Sequence, residues 1–141
     1  MTVGDEDRSS MYQEDFTCDH YFELLRIAKR YYQFIDYKSI SFKEPFVLWR
    51  HDVDFSLNRS LRLAQIEREV GVSSTFFIHL RSEFYNPLEE TQTRCIQEIL
   101  KLGHSIGIHF DAESYKIESE KDFDRFLGKE VSIFESAFDV S

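Results

Sequence analysis

Cysteine is scarce in this chain: of 141 residues only Cys18 and Cys95 are cysteines, far apart and outside any C-x-x-C pairing. Two thiols so placed exclude a disulfide scaffold and a thiolate zinc knuckle, and they read as ordinary reduced side chains. A basic stripe is also missing. With 26 acidic against 17 basic residues the formal charge is −9, which repels phosphate backbones and anionic lipid and sets nucleic acid aside as a partner. No apolar run approaches membrane-spanning length, and Met1 to Ser10 lack the charged-then-apolar order of a secretory signal. The chain therefore reads as soluble and cytoplasmic. No repeat, low-complexity tract or linker divides it.

What is present is enough for a core. Hydrophobic residues make up 42% of a chain of single-domain length. Residues 1–15 carry five carboxylates and almost nothing apolar, so they read as a flexible acidic arm, with one domain over residues 16–141. Phe22, Leu25, Ala28, Tyr32 and Ile35 recur at spacings of three and four, which predicts an amphipathic helix to about Asp36. After Lys43-Glu44-Pro45, the apolar run Phe46-Val47-Leu48-Trp49 has the length of a central strand and leads into Arg50-His51-Asp52-Val53-Asp54. Ser56 is placed to cap a helix through Leu57, Leu61, Ala64 and Val70 that stops at Gly71.

The cycle repeats. Thr75 to Leu80 reads as a second strand, followed by a loop through Phe84-Tyr85-Asn86-Pro87 and a helix with Cys95, Ile96, Ile99 and Leu100 closed by Gly103. His104 to His109 reads as a third strand, and Ser119 as the cap of a last helix carrying Phe123, Phe126, Leu127, Phe134 and Phe138. Three strand-helix units imply an α/β fold with a parallel sheet, whose chemistry gathers at the C-terminal ends of the strands.

At that edge Asp52 and Asp54 are two residues apart and project to one side of an extended chain, while His109 ends the third strand with Asp111 and Glu113 next in the same alternation. Packed carboxylates need protons or a cation. A mixed carboxylate and imidazole set suits zinc, with cobalt, manganese or iron as alternatives. An open coordination position would activate water, and a further aspartate would take its proton. Each aspartate alone reads better as an ordinary turn former or helix cap before serine; the pairing of D-x-D with His-x-Asp in one sheet is what argues for chemistry. His104 and His51 alternate away from the cluster and His20 lies on the first helix, so all three read as structural or surface residues. His79 at the end of strand two reads as a packing residue or one that orients substrate. The loop with Tyr85 and Asn86 reads as an ordinary turn or a sugar-stacking rim.

The succession His51-Asp52-Val53-Asp54, Ser74-Thr75-Phe76-Phe77 and Gly103-His104-Ser105-Ile106-Gly107-Ile108-His109 resembles the NodB-type polysaccharide deacetylases, in particular their divergent R-H-D-V-D bacterial members, over about residues 45–116. The resemblance implies part of a distorted (β/α) barrel and a metal-activated water that removes an acetyl group from a sugar or polysaccharide precursor. It implies Asp52 as base and Asp54 as metal ligand, with exchange of the two roles open. His109 stands for the first of two metal-binding histidines four apart, and Glu113 occupies the place of the second, with Asp111 as a nearer acidic alternative. A full barrel takes about 250 residues, so the chain reads as an N-terminal portion that exposes an open barrel edge for association. Two other readings stand beside the deacetylase: an aspartyl phosphotransferase with Asp52 as nucleophile, and a truncated, non-catalytic module that serves as an interaction surface.

Overall fold

The computed structural model describes residues 16–40 and 43–140. The expected acidic arm, residues 1–15, lies outside the described residues. Helix α1 (Cys18–Lys29) begins where the Thr17 side chain accepts the His20 N–H, which satisfies one of the amide donors left open at a helix start.

The helix stops at Lys29, short of the expected Asp36. The backbone N–H groups of Gln33 and Ile35 donate instead to the carbonyls of Pro45 and Val47, so that β1 (Gln33–Phe34) and β2 (Phe46–Val47) form a small parallel sheet. Tertiary pairing here overrides helical spacing. The same pairing divides the run Phe46 to Trp49. Its first half belongs to β2, and the main sheet begins only with β3 (Arg50–Val53), so His51 and Asp52 lie inside the strand they were expected to follow.

The remaining units follow the expected order. Ser56 accepts the Arg59 N–H at the start of α2 (Leu57–Val70), and Gly71 ends it at φ 75°, a left-handed conformation that glycine adopts without steric cost. Next come β4 (Thr75–Ile78), α3 (Glu90–Lys101), β5 (Ser105–Ile108), a 3-10 turn at Ala112–Ser114 and α4 (Glu120–Phe138), whose Ser119 cap accepts the Asp122 N–H. Strands β3, β4 and β5 lie side by side in that order, all parallel. The architecture is α/β with open parallel sheets, and no closed barrel forms among the described residues.

The two faces of the main sheet differ because side chains alternate along each strand. Val53, Phe76 and Ile78 turn to one face and pack with Leu57, Ala64, Cys95, Ile96, Ile99, Phe134 and Phe138 from the three following helices. Phe76, Ile78, Ile96 and Ile99 are fully buried, and burial of each stabilises the fold by about 1.5–3 kcal/mol. Arg50, Asp52 and Phe77 occupy the opposite face, where the Arg50 guanidinium lies 4.2 Å from the Phe77 ring centre and Tyr37 meets that ring edge-on. Both cysteines are free, Cys18 exposed and Cys95 buried. Among the described residues no helix is long and apolar enough to cross a membrane.

On the helix-covered side a carboxylate is completely buried, which the hydrophobic pattern did not foretell. Glu67 of α2 takes bonds from the Tyr21 hydroxyl (2.5 Å) and His51 Nε2 (2.5 Å) on one oxygen and from the Ser74 hydroxyl (2.5 Å) on the other. Trp49 in turn donates to the Tyr21 hydroxyl at 2.8 Å. Burial pushes the Glu67 carboxyl up, but the bond and charge of His51, with the two hydroxyl donors, outweigh it and hold the group below its ordinary value. His104 completes the network as a neutral imidazole: its Nδ1 accepts the Ser74 N–H at 3.2 Å and its Nε2 lies 2.9 Å from the Ala64 carbonyl. Desolvation drives its pKa down. His51 and His104 thus serve the structural purpose expected of them, by tying β3 and β5 to a charge on α2.

Candidate metal centre

The strand register assembles the site. Val53 pairs with Ile78, and Ile78 with Ile108, in the last row of the sheet. The next residue on each strand is Asp54, His79 and His109, and the His109 N–H still donates to the Ile78 carbonyl at 2.9 Å. Three potential ligands therefore stand in one row across three adjacent strand ends. Neighbouring strands lie about 4.7–4.9 Å apart, which brings the side chains of such a row within common reach. One ligand atom from each of Asp54, His79 and His109 lies within 4.8 Å of the others.

The contacts within this triad are loose for hydrogen bonds and suited to a shared ion. Asp54 Oδ1 is 3.3 Å from His79 Nε2 and 3.5 Å from His109 Nδ1. Donor atoms around one tetrahedral zinc, with bonds of about 2.0–2.1 Å, stand roughly 3.3 Å apart. The two imidazole rings approach to 3.9 Å between centres. His109 Nδ1 is buried and has no hydrogen-bond partner among the described residues, a state that costs free energy unless something fills it. One carboxylate and two imidazoles leave at least one position open on a four-coordinate ion, the composition of hydrolytic centres rather than closed structural ones.

Asp52 lies one row behind on the same face. Its Oδ2 is 3.9 Å from His109 Nε2, while its Oδ1 accepts the Arg50 Nε–H at 2.6 Å. Arg50 is thus bonded to the carboxylate and stacked on Phe77, which leaves Asp52 little freedom to turn. Gly107 makes room for this arrangement, since a Cβ there would stand 2.8 Å from Phe77 Cε1.

The other residues expected at the edge have different placements. Asp111 caps the 3-10 turn, accepting from the Glu113 N–H at 3.0 Å and from the Ser114 hydroxyl at 2.6 Å. The Ser114 bond, with help from the Glu113 amide and nearby His79, holds its carboxyl below the usual range. Glu113 contributes that amide, and neither its carboxylate nor that of Asp111 belongs to the triad. The second imidazole comes instead from His79 on the neighbouring strand. Tyr85 is built into the scaffold: its hydroxyl donates to the Val53 carbonyl at 2.6 Å and accepts the His79 N–H at 3.1 Å. Burial pushes its pKa up to about 12, so it stays a neutral clamp between the ends of β3 and β4. Asn86 uses its side-chain oxygen to accept the Leu88 N–H at 3.1 Å, a turn-forming bond.

The signal for His79 was present in the sequence as a histidine near the end of the predicted strand Thr75 to Leu80, and the observed strand stops one residue before it. What was missing was the register that aligns it with Asp54 and His109. Comparison of the chain with protein-family models, curated proteins and solved structures gives no significant match in any of the three.

Proposed function

We propose that this chain is a metal-dependent hydrolase that removes an acetyl group from an acetylated sugar or polysaccharide precursor, with zinc as the ion. The observation that carries the reading is the row of Asp54, His79 and His109 at the strand ends, in which the buried His109 Nδ1 lacks a partner. The R-H-D-V-D and G-H-S-I-G-I-H stretches add the resemblance to NodB-type deacetylases, and with it the reading of the parallel strands as part of a distorted (β/α) barrel.

A divalent ion at this row would supply a Lewis acid for the acyl carbonyl and bring the acidity of water into the neutral range. The roles of the chain's own residues follow from their positions. Asp54, His79 and His109 hold the ion. Asp52, beside His109 but tied to Arg50, is placed to accept a proton from the attacking water. Arg50 acts through Asp52 as a positioning residue. The exposure of Asp52 and Asp54 on the open face leaves room for a large acylated substrate.

The test is acetate release from acetylated chitooligosaccharides by zinc- or cobalt-loaded protein, with Asp54→Ala as control. Release that depends on metal and is abolished by the substitution supports the hydrolase. Failure to hold stoichiometric transition metal, with indifference to Asp54→Ala, replaces it with the non-catalytic module. A magnesium-dependent phosphoryl adduct on Asp52 replaces it with the phosphotransferase.

A further inference from the structure

Helix α1 is apolar on two sides. Folding uses the inner one: Leu25 is fully buried in a cluster with Ile66 and Val72, against which Tyr21 and Phe22 pack. On the outer side Phe16, Leu24, Ile27 and Tyr31 are 90%, 43%, 52% and 68% exposed. Leu24 and Ile27 lie within the helix, and Phe16 and Tyr31 stand just beyond its two ends, where the Tyr31 N–H still donates to the Ala28 carbonyl at 3.0 Å. At 3.6 residues per turn the four fall within an arc of about 80°, turned away from Leu25. The remaining side chain in that arc is His20. Exposed apolar residues scattered singly need no explanation, whereas a contiguous stripe marks an interaction site.

The flank of this stripe carries its charges in two blocks. Asp19 and Glu23 occupy the N-terminal half and Arg26 and Arg30 the C-terminal half, with Glu23 and Arg26 paired at 3.0 Å within the chain. Lys29 is committed elsewhere, donating to the Val70 carbonyl at 2.7 Å. Two carboxylates and two guanidiniums leave the flank neutral on a chain of charge −9, so a second copy approaching this face meets no local excess of like charge. The blocks complement themselves in one orientation. Antiparallel, Asp19 and Glu23 of one copy meet Arg30 and Arg26 of the other, whereas parallel alignment sets like against like. The apolar stripe has the same symmetry: about a two-fold axis near Leu24, Phe16 of one copy faces Tyr31 of the other.

We infer that α1 is the contact face of a homodimer, in which two copies pack α1 against α1 antiparallel about a two-fold axis near Leu24. Each copy presents the same patch to the other, an arrangement that closes after two subunits. The helix is 12 residues long, about 18 Å, which is short for an obligate interface. The dimer is therefore reversible, with a dissociation constant of about 10–100 µM. No ligand of the triad takes part, and the inference is independent of the hydrolase reading.

Sedimentation equilibrium of the 141-residue chain, from about 1 to about 500 µM, tests the inference and shows a reversible monomer–dimer exchange. Leu24→Glu and Ile27→Glu each weaken the dimer at least about tenfold. Because both positions face solvent, circular dichroism of the dilute monomers shows an unchanged thermal midpoint. Reversing the acidic block (Asp19→Lys with Glu23→Lys) or the basic block (Arg26→Glu with Arg30→Glu) also weakens self-association, and mixing the two variants restores it. Orientation is read by oxidation in a Cys18→Ser background, where Phe16→Cys protein mixed with Tyr31→Cys protein forms the mixed disulfide. The inference is overturned if the chain stays monomeric at the highest concentration, which leaves the stripe to a different protein or to residues 1–15. It is overturned equally if the Leu24 and Ile27 substitutions leave a dimer intact, which moves the contact to another surface, or if Phe16→Cys pairs with itself, which makes the contact parallel.

Discussion

Asp54 Oδ1 lies 3.5 Å from His109 Nδ1, although 55 positions separate the two residues, because each is the first residue beyond the last paired row of its strand. His79 stands between them on β4 and turns a pair into a triad.

The triad and the sequence-based ligand set differ in their members, and substitution separates them. His79→Ala, like Asp54→Ala and His109→Ala, lowers zinc affinity by more than about 100-fold, beyond the 10- to 100-fold typical of supporting residues. Asp111→Ala and Glu113→Ala change it by less than about tenfold. Calorimetric zinc titration decides this, and retention of affinity in His79→Ala would return that residue to a substrate-orienting role.

Arg50 reaches Asp52 from two residues upstream while stacked on Phe77. Asp52→Asn removes the proposed base and lowers kcat by about 10²–10⁴. Arg50→Ala lowers kcat by about tenfold with zinc affinity unchanged, because it frees the base to turn without touching a ligand. Arg50→Lys recovers part of the loss. Steady-state acetate release with parallel zinc titrations reads both effects.

Glu67 is the structural liability of the fold. Glu67→Ala leaves Tyr21, His51 and Ser74 without their shared acceptor, and it lowers unfolding free energy by about 3–5 kcal/mol in denaturant titrations.

The same network makes stability fall in acid in two steps. His104 has a folded pKa below its ordinary 6.5, so the unfolded chain takes up the proton first and stability declines as pH drops through that value. Glu67 has a folded pKa below 4.5; its contribution is complete above that value and disappears as pH falls through the folded pKa. Thermal midpoints measured from pH 8 to pH 3 follow this order. His104→Gln removes the first step.

Gly107→Ala tests the crowded open face. The added methyl meets the Phe77 ring at 2.8 Å, an overpacking that costs about 1–3 kcal/mol. Because Arg50 stacks on that ring, the substitution also disturbs the Arg50–Asp52 pair, and denaturant unfolding combined with the acetate assay registers both consequences.

The local sequence carried much of the architecture. Ser56, Gly71 and Ser119 mark helix ends through caps formed by neighbouring atoms, and the apolar stripes of α2, α3 and α4 fix which side of each helix packs. Alternation along β3 and β5 placed Asp52 and Asp54 on one face and turned His51 and His104 to the other, because side-chain direction in a strand depends only on residue parity.

Relations between strands were decided elsewhere. Whether Gln33 and Phe34 continue a helix or pair with Phe46 and Val47 depends on a partner that local spacing does not contain. The companion of Asp54 and His109 is His79 because register aligns three strand ends, whereas Glu113, although nearer in sequence, serves a turn. Glu67, read on α2 alone, resembles any solvent-facing carboxylate, and only the convergence of Tyr21, His51, Ser74 and His104 makes its burial tolerable. Sequence fixes what each segment presents through short-range sterics and capping; the long-range hydrogen-bond ladder fixes which segments share a volume, and the candidate centre exists only in that shared volume.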